Sequence, residues 1–167
     1  TDLLGKRKEK AENLKSDGVN LFPNGRVVRH TIRDINDHLA HLPDGALEDS
    51  ARFTVAGRMM AINRFGKSAF IRFKDRTGLM QAYVRNDKVG DAAYALFKRL
   101  DVGDYVHLSG TLFQTKTGEW TLLTTDFGLL CKSTRPLPEK FHGLKDPEKR
   151  YRQRYIDLIM NAEVQEI

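Results

Sequence analysis

The sequence has few of the features that cross-link a fold or cross a membrane. Its 167 residues include one cysteine, Cys131, which excludes an internal disulfide framework and favours a reducing, cytoplasmic setting. No apolar run approaches the roughly 20 residues of a membrane span, and the N-terminus lacks the apolar core of a signal peptide. We therefore expect a cytoplasmic chain with no membrane partner.

Residues for chemistry are also scarce. The five histidines are scattered, and His38 and His41, three residues apart on a predicted helix, have no third metal ligand nearby, so we interpret them as surface residues. The sequence contains no glycine-rich phosphate loop, no nucleophile elbow and no paired-carboxylate site. We expect no catalytic residue, no metal and no cofactor within this chain.

Proline is absent between residues 51 and 131, although the chain has five prolines, and this absence suits a set of paired strands. Alternating apolar residues predict three strands within 51–85 and two more within 105–130, and helical spacing predicts a helix within 88–100. Three strands, a helix and two strands is the order of an OB-fold. We therefore predict an all-β core, a five-stranded Greek-key barrel, with a helix between strands 3 and 4.

The second and third predicted strands form a hairpin around a polar turn at 74–78, and their alternation separates a buried face from an exposed face. A register with Phe73 opposite Met80 keeps the apolar residues of both strands together. The predicted buried set is Ala69, Ile71, Phe73, Met80, Ala82 and Val84. The same register gives two exposed pairs, Phe70 beside Tyr83 and Arg72 beside Gln81.

These exposed side chains suit an unpaired nucleic acid strand. A base can stack on Phe70 or Tyr83, and the amide of Gln81 can pair with its Watson–Crick edge. Three arginines are predicted to meet phosphates or base carbonyls, namely Arg58, Arg72 and Arg85. The alternative interpretation is an ordinary solvated sheet face.

Charge favours a nucleic acid partner. Residues 51–87 carry eight Lys or Arg and two Asp, a local net charge of +6 that equals the formal charge of the whole chain. A basic excess concentrated on the predicted strands indicates a local field directed at a polyanion, rather than a generally basic surface.

The barrel domain is predicted to span 51–131, after a helical extension formed by residues 1–50. A largely exposed helix is expected within 1–17. A second helix is expected from Thr31, whose hydroxyl can cap the first backbone amides, to Leu42.

Residues 132–167 differ in character from the barrel. They are predicted to be a linker followed by an amphipathic helix whose apolar stripe needs a partner outside the chain. We therefore expect the chain to be a fragment, with a further domain beyond Ile167.

Four segments resemble a known family. They are 55–60 (VAGRMM), 112–119 (LFQTKTGE), 135–144 (RPLPEKFHGL) and 150–159 (RYRQRYIDLI). The last two are highly specific, whereas an OB-fold outline alone would be weak because that fold hosts many functions. Across nearly all 167 residues, the chain resembles the N-terminal, anticodon-binding region of the class II, bacterial-type lysyl-tRNA synthetases.

The resemblance implies that the barrel recognises the U-rich anticodon of tRNA(Lys). Phe70 resembles the residue that stacks on the central uridine, and Gln81 and Arg58 resemble those that bond its edge. Glu119 resembles a loop residue that reads the first anticodon base; the alternative is a hairpin-end carboxylate. A carboxylate beside RNA is unfavourable unless it accepts a base N–H, as a uridine N3–H allows.

The resemblance also implies a parent enzyme, a cytoplasmic homodimer, that activates lysine with ATP and Mg²⁺ and then esterifies tRNA(Lys). The catalytic motifs of such an enzyme are expected beyond Ile167. This chain alone is therefore predicted to bind tRNA without aminoacylating it.

Three other functions are compatible with parts of the pattern. The chain could belong to an aspartyl- or asparaginyl-type enzyme, which shares the barrel and reads a different first anticodon base. It could be a stand-alone OB protein for single-stranded nucleic acid. It could also be a protein-interaction module whose basic sheet binds an acidic partner regardless of base identity.

Overall fold

Five strands form a closed barrel in the computed structural model, which describes residues 2–137, Glu148 and Arg152. The strands are β1 (Glu48–Phe65), β2 (Ser68–Lys74), β3 (Leu79–Arg85), β4 (Tyr105–Gln114) and β5 (Trp120–Cys131). Their order around the barrel is β1-β2-β3-β5-β4, and β1 pairs with β4 to close the ring. β3 and β5 pair in parallel, while the other neighbours are antiparallel. The predicted OB-type barrel is confirmed.

Within the described residues, four helices accompany the barrel. They are α1 (Leu3–Ser16), α2 (Ile32–Leu39), α3 (Asn86–Val89) and α4 (Asp91–Lys98). The predicted helix between β3 and β4 is present but divided, because Gly90 has φ +90° and ψ 158°, which a helix cannot contain.

Helix α2 begins as predicted and ends three residues earlier than predicted. Thr31 accepts from the backbone N–H of Asp34, and Asp34 accepts from that of Thr31, so the two form a capping box. The next two backbone amides donate to the turn between β2 and β3, from Ile32 to Asp75 at 2.8 Å and from Arg33 to Thr77 at 3.0 Å. Helix α2 therefore fixes one end of the β2–β3 hairpin.

The predicted register of that hairpin is confirmed. Phe73 pairs with Met80, Arg72 with Gln81 and Phe70 with Tyr83. All six predicted inward residues are buried. On β1, which pairs with β2, a Cβ at Gly57 would lie 2.8 Å from the Lys74 carbonyl oxygen. The close approach of β1 and β2 therefore requires glycine at this position.

The segment between α1 and α2 covers one side of the barrel. The backbone N–H of His30 donates to the Thr54 carbonyl, and Lys132 N–H donates to the Leu21 carbonyl. Arg26 and Asp126 form an ion pair at 3.6 Å. These attachments fall on parts of β1 and β5 that do not pair with β2 or β3. The outward surface of β2 and β3 is therefore free of this covering segment.

An ion cluster joins α1, the loop before β4 and the residue that follows β5. The ammonium of Lys132, whose side chain is fully buried, lies 3.0 Å from Asp104 and 3.2 Å from Asp101. Lys10 on α1 reaches Asp101 at 2.6 Å. Burial raises the pKa of Asp104, whereas the bonds and charges of Lys10 and Lys132 outweigh burial at Asp101 and lower the pKa of that carboxyl.

The predicted linker and helix of residues 132–167 lie largely outside the described residues. Glu148 and Arg152, four residues apart, form an ion pair at 2.6 Å. In the part of the chain that the structure describes, no helix is long and apolar enough to cross a membrane.

Candidate nucleic-acid interface

Four of the predicted site residues lie side by side on the outward surface of β2 and β3. We call this group, Phe70, Arg72, Gln81 and Tyr83, the open face. Each of the four is partly exposed, and each alternates with a buried core residue. The strand period of two therefore brings them to one surface because their neighbours are needed in the core.

The aromatic rings of the open face pack on one another. Phe70 and Tyr83 stack with centroids 4.4 Å apart and planes at 16°. The guanidinium of Arg85 lies over the Tyr83 ring, 5.9 Å from its centroid. Tyr83 is therefore already covered on one ring face by Phe70 and is further approached by a cation, which makes Phe70 the better of the two predicted stacking platforms.

A groove of about 380 Å³ lies beside Phe70. Its size falls within the range of small-ligand sites. The lining residues are Asn63, Phe65, Phe70, Gln81, Thr115, Lys116, Thr117 and Glu119. The groove thus brings together Phe70, Gln81 and Glu119, an aromatic ring, an amide and a carboxylate that come from three separate parts of the chain.

Glu119 is positioned by the β4–β5 hairpin loop. Thr115 N–H donates to the Glu119 carbonyl at 2.9 Å, and Glu119 N–H donates to the Thr115 hydroxyl at 3.2 Å. Gly118 has φ +86°, a conformation that favours glycine, and its carbonyl accepts from the Gln114 side chain. The loop therefore presents the carboxylate at the edge of the groove with a defined backbone.

Polar contacts connect Glu119 to the open face. The two guanidinium nitrogens of Arg72 lie 2.9 and 3.1 Å from the two carboxylate oxygens of Glu119. One of them also lies 3.5 Å from Gln81 Oε1, a long contact, and Gln81 Nε2 donates to the Thr121 hydroxyl at 3.1 Å. Gln81 keeps one amide N–H and part of its carbonyl oxygen for a ligand.

Arg58 lies apart from this group. It pairs with Lys74, four residues along β2 from Phe70, which is about 13 Å at the rise of a strand. Its guanidinium donates to the Gly103 carbonyl at 2.9 Å and lies over the Tyr105 ring. The Arg58 guanidinium is therefore held at Gly103 and Tyr105 and does not line the groove beside Phe70. The alternation that puts Arg58 and Phe70 outward does not fix their distance along the strands.

Arg85 is held by a neighbour. Its guanidinium donates to both oxygens of Asp87, at 3.0 and 2.8 Å. Arg85 and Tyr83 line a second hollow of about 650 Å³, which also includes Asp87 and Asp91. Although this hollow is larger than the groove beside Phe70, its two carboxylates, Asp87 and Asp91, offset its two cations.

Five groove residues are not among the site residues predicted from the sequence: Thr115, Lys116 and Thr117 in the β4–β5 loop, and Asn63 and Phe65 on β1. Asn63 lies directly opposite Phe70 on β1, and Phe65, 57% exposed, has its ring centroid 6.3 Å from that of Phe70. The pairing of β1 with β2 is the signal that would have identified both. Arg64 between them is a structural residue, because it donates to the Leu100 carbonyl and lies over the Phe97 ring.

Comparison with known proteins agrees with this geometry. Residues 53–130 match the family described as an OB-fold nucleic acid binding domain of the anticodon-binding type. The chain is 45% identical over 166 residues to a lysine–tRNA ligase of Anaeromyxobacter sp. (strain K), which covers 99% of this chain and 32% of that protein. Lysine–tRNA ligases of Clostridium novyi (strain NT) and Halalkalibacterium halodurans are 46% and 45% identical, over 98% and 99% of this chain.

These alignments extend beyond the barrel. They cover 31% and 33% of the Clostridium and Halalkalibacterium proteins, so the chain spans about a third of the length of the curated relatives it matches. Since almost the whole chain aligns, the segments before and after residues 53–130 share the relationship. The chain corresponds to the OB-fold, anticodon-binding region of the lysine–tRNA ligases.

Proposed function

We propose that this chain binds the anticodon loop of tRNA(Lys) and recognises its uridines. One observation carries the proposal: the groove beside Phe70 combines a stacking ring, the amide of Gln81 and the carboxylate of Glu119. Single-stranded RNA is bound by stacking of splayed bases and by hydrogen bonds to their edges. The similarity to lysine–tRNA ligases supports tRNA(Lys) as the RNA.

The chemistry of uracil matches the groups in the groove. A uracil edge offers an N3–H donor between two carbonyl acceptors. Gln81 offers an N–H donor and a carbonyl acceptor, which is complementary to half of that edge. Glu119 accepts hydrogen bonds and so favours a base that carries an N–H. Stacking on Phe70 holds the base without regard to its identity, and the polar groups select it.

We further propose that the parent protein is a lysine–tRNA ligase that uses ATP and Mg²⁺. Among residues 2–137, Glu148 and Arg152, no three His, Cys, Asp or Glu side chains come together as metal ligands. We assign ATP and Mg²⁺ to the part of the relatives' length that this chain does not cover.

The organisation of the chain is also a proposal. We assign residues 51–131 to anticodon binding, 1–50 to its helical extension and 132–167 to a linker toward the catalytic part of a homodimeric parent. The exposed free thiol of Cys131 supports a cytoplasmic setting, where thiols stay reduced. The assignment of catalysis to the rest of the parent protein is tested by pyrophosphate exchange with lysine and ATP. This chain alone should show no lysine-dependent exchange.

The binding proposal is tested with fluorescence titrations of anticodon stem-loops. We expect the chain to prefer a UUU loop over a scrambled loop, and over a loop whose first base is G. Phe70→Ala should cost about 1 to 3 kcal/mol of affinity for the UUU loop because it removes the stacking platform. Arg76→Ala, at the exposed β2–β3 turn and outside the groove, is the matched control and should weaken all the RNAs to a similar extent.

Each outcome separates two functions. Equal affinity for UUU and scrambled loops would indicate a general single-strand binder and contradict the proposal. A preference for G at the first position would indicate an aspartyl- or asparaginyl-type reader. If Phe70→Ala left the affinity for the UUU loop unchanged, base stacking on Phe70 would be the wrong mechanism.

A further inference from the structure

Arg72 lies in the middle of the open face, but its guanidinium is directed along the barrel wall. It faces both oxygens of Glu119, at 2.9 and 3.1 Å, and reaches toward Gln81 Oε1 at 3.5 Å. Two parallel N–H to oxygen bonds between a guanidinium and a carboxylate are the strongest arrangement of this pair. The contact crosses from β2 over β3 to the residue before β5.

The groups that Arg72 contacts are those that face a base. Glu119 and Gln81 line the groove, whereas Arg72 is not among its lining residues. A carboxylate without a counter-ion would repel the phosphates of an RNA loop. With Arg72 paired to it, the charge is compensated, and each oxygen keeps a second lone pair for a base N–H.

We propose that Arg72 is a positioning residue for base recognition, which holds Glu119 and Gln81 in place and neutralises Glu119, and that it is not a phosphate ligand. The inference rests on the proposed function, since it concerns how the same groove selects its base. It replaces the sequence-based interpretation in which Arg72 meets phosphates or base carbonyls directly.

The two roles of Arg72 have different signatures. A phosphate ligand contributes to every RNA alike, and its loss reduces the salt dependence of binding by about one counterion. A positioning residue acts through its partners, so its loss reduces discrimination between bases and depends on whether Glu119 is charged. Removing the arginine while the carboxylate remains leaves an uncompensated negative charge beside the RNA.

The experiment is a double-mutant cycle in the whole chain. Arg72→Met, Glu119→Gln and the double variant are titrated with stem-loops carrying UUU, first-base-G and central-base-C anticodons, each at several salt concentrations. Arg72→Lys keeps the charge but cannot form the fork to both oxygens. Arg76→Met, which removes an exposed arginine at the β2–β3 turn, is the control for loss of one positive charge. Circular dichroism checks that each variant is folded.

We expect Arg72→Met to weaken UUU binding by about 10-fold or more and to reduce the preference for UUU toward that of Glu119→Gln. In a chain that already carries Glu119→Gln, Arg72→Met should weaken UUU binding by about 3-fold or less. Arg72→Lys should keep most of the affinity and lose part of the preference. Arg76→Met should weaken all three RNAs equally and lower the salt slope.

The inference is overturned if Arg72→Met behaves like Arg76→Met, with equal loss for all RNAs, a reduced salt slope and the same loss in both Glu119 backgrounds. It is also overturned if Arg72→Lys is as selective as the unchanged chain, since charge alone would then suffice. Failure of the proposed function is a different result, because the unchanged chain itself would then show no preference for UUU.

Discussion

The open face and the covered side of the barrel use outward-pointing residues in opposite ways. Arg72 of the open face forms an ion pair with Glu119, and both side chains are 38% exposed. On the covered side, His107 points outward from β4 yet is only 2% exposed, and the ammonium of Lys132 is fully buried against Asp104. Polar groups on the covered side are shielded from water, whereas those on the open face remain available to a ligand.

The difference in exposure between the two sides arises from the segment between α1 and α2. Its attachments to Thr54, Asp126 and Lys132 fall on one side of the barrel. The stacked aromatic pair and the half-exposed ion pair of the uncovered face each contribute only modestly to stability. A site on a barrel is therefore identified by which wall the chain leaves uncovered as much as by the residues on that wall.

The largest expected effect comes from Lys132. Lys132→Ala leaves Asp104 buried without its cation and should lower the free energy of unfolding by about 3 to 5 kcal/mol. Arg72→Ala, which breaks a half-exposed pair, should cost less than about 1 kcal/mol. Urea unfolding measures both. The control Lys10→Ala removes a half-exposed member of the same cluster and should resemble Arg72→Ala.

A second variant keeps this prediction testable if Lys132→Ala does not fold. Lys132→Met combined with Asp104→Leu removes both charges and should recover most of the lost stability, because no buried charge is left unpaired. If Lys132→Ala and Arg72→Ala lowered the free energy of unfolding by similar amounts, the buried ion pair would not matter more for stability than the half-exposed one, and the comparison would fail.

A smaller effect is expected from packing on the covered side. A Cβ at Gly128 would lie 2.3 Å from Nε2 of His107, and His107 is buried, so Gly128→Ala should cost about 1 to 3 kcal/mol. At Gly78, beside the open face, the nearest atom to a Cβ is 3.4 Å away, and Gly78→Ala should change stability by less than about 1 kcal/mol. Thermal and urea unfolding compare the two.

The packing account has its own internal check. If His107 is the obstacle, adding His107→Ala to Gly128→Ala should relieve part of the loss, so the two changes should not be additive. Additive losses would show that Gly128 is constrained by something other than the imidazole.

The strand pattern predicted the open face well because the rules involved are local. Alternation within β2 and β3, together with one apolar pair, Phe73 and Met80, was enough to put Phe70 beside Tyr83 and Arg72 beside Gln81. Burial of the intervening residues leaves one acceptable register. The cap by the Thr31 hydroxyl followed from the sequence for a similar reason, since the backbone amide that it accepts from lies three residues away.

The sequence could not predict contacts that depend on the closed barrel. Arg58 and Phe70 both point outward but lie on different rows of the sheet, and Asn63 enters the groove through the β1–β2 pairing. Glu119 reaches Arg72 because β5 pairs with β3. Its place near the site came only from family resemblance, since no alternation pattern relates a hairpin loop to a strand 47 residues away in sequence.

The smallest predicted effect is a pH dependence confined to the covered side. Burial, with help from the charge of Arg26 and against that of Asp126, lowers the pKa of His107 below its usual 6.5. As the pH falls through 6.5, the unfolded chain therefore takes up a proton before the folded chain does, and stability decreases. One such histidine lowers the free energy of unfolding by at most about 0.7 kcal/mol between pH 7 and 6.

His107→Leu should flatten the stability profile between pH 7.5 and 5.5, because it removes the group that the unfolded chain protonates. Below about pH 5, carboxyls with lowered pKa, such as those of Asp49 and Asp101, add a dependence of their own that the variant should retain. Glu119→Gln is the matched change beside the open face, and it should leave the slope above pH 5.5 unaltered, because it retains His107. If the free energy of unfolding kept the same slope against pH in His107→Leu, the pKa of His107 would not be lowered by burial. The difference in burial between the covered side and the open face would then be supported by Lys132 alone.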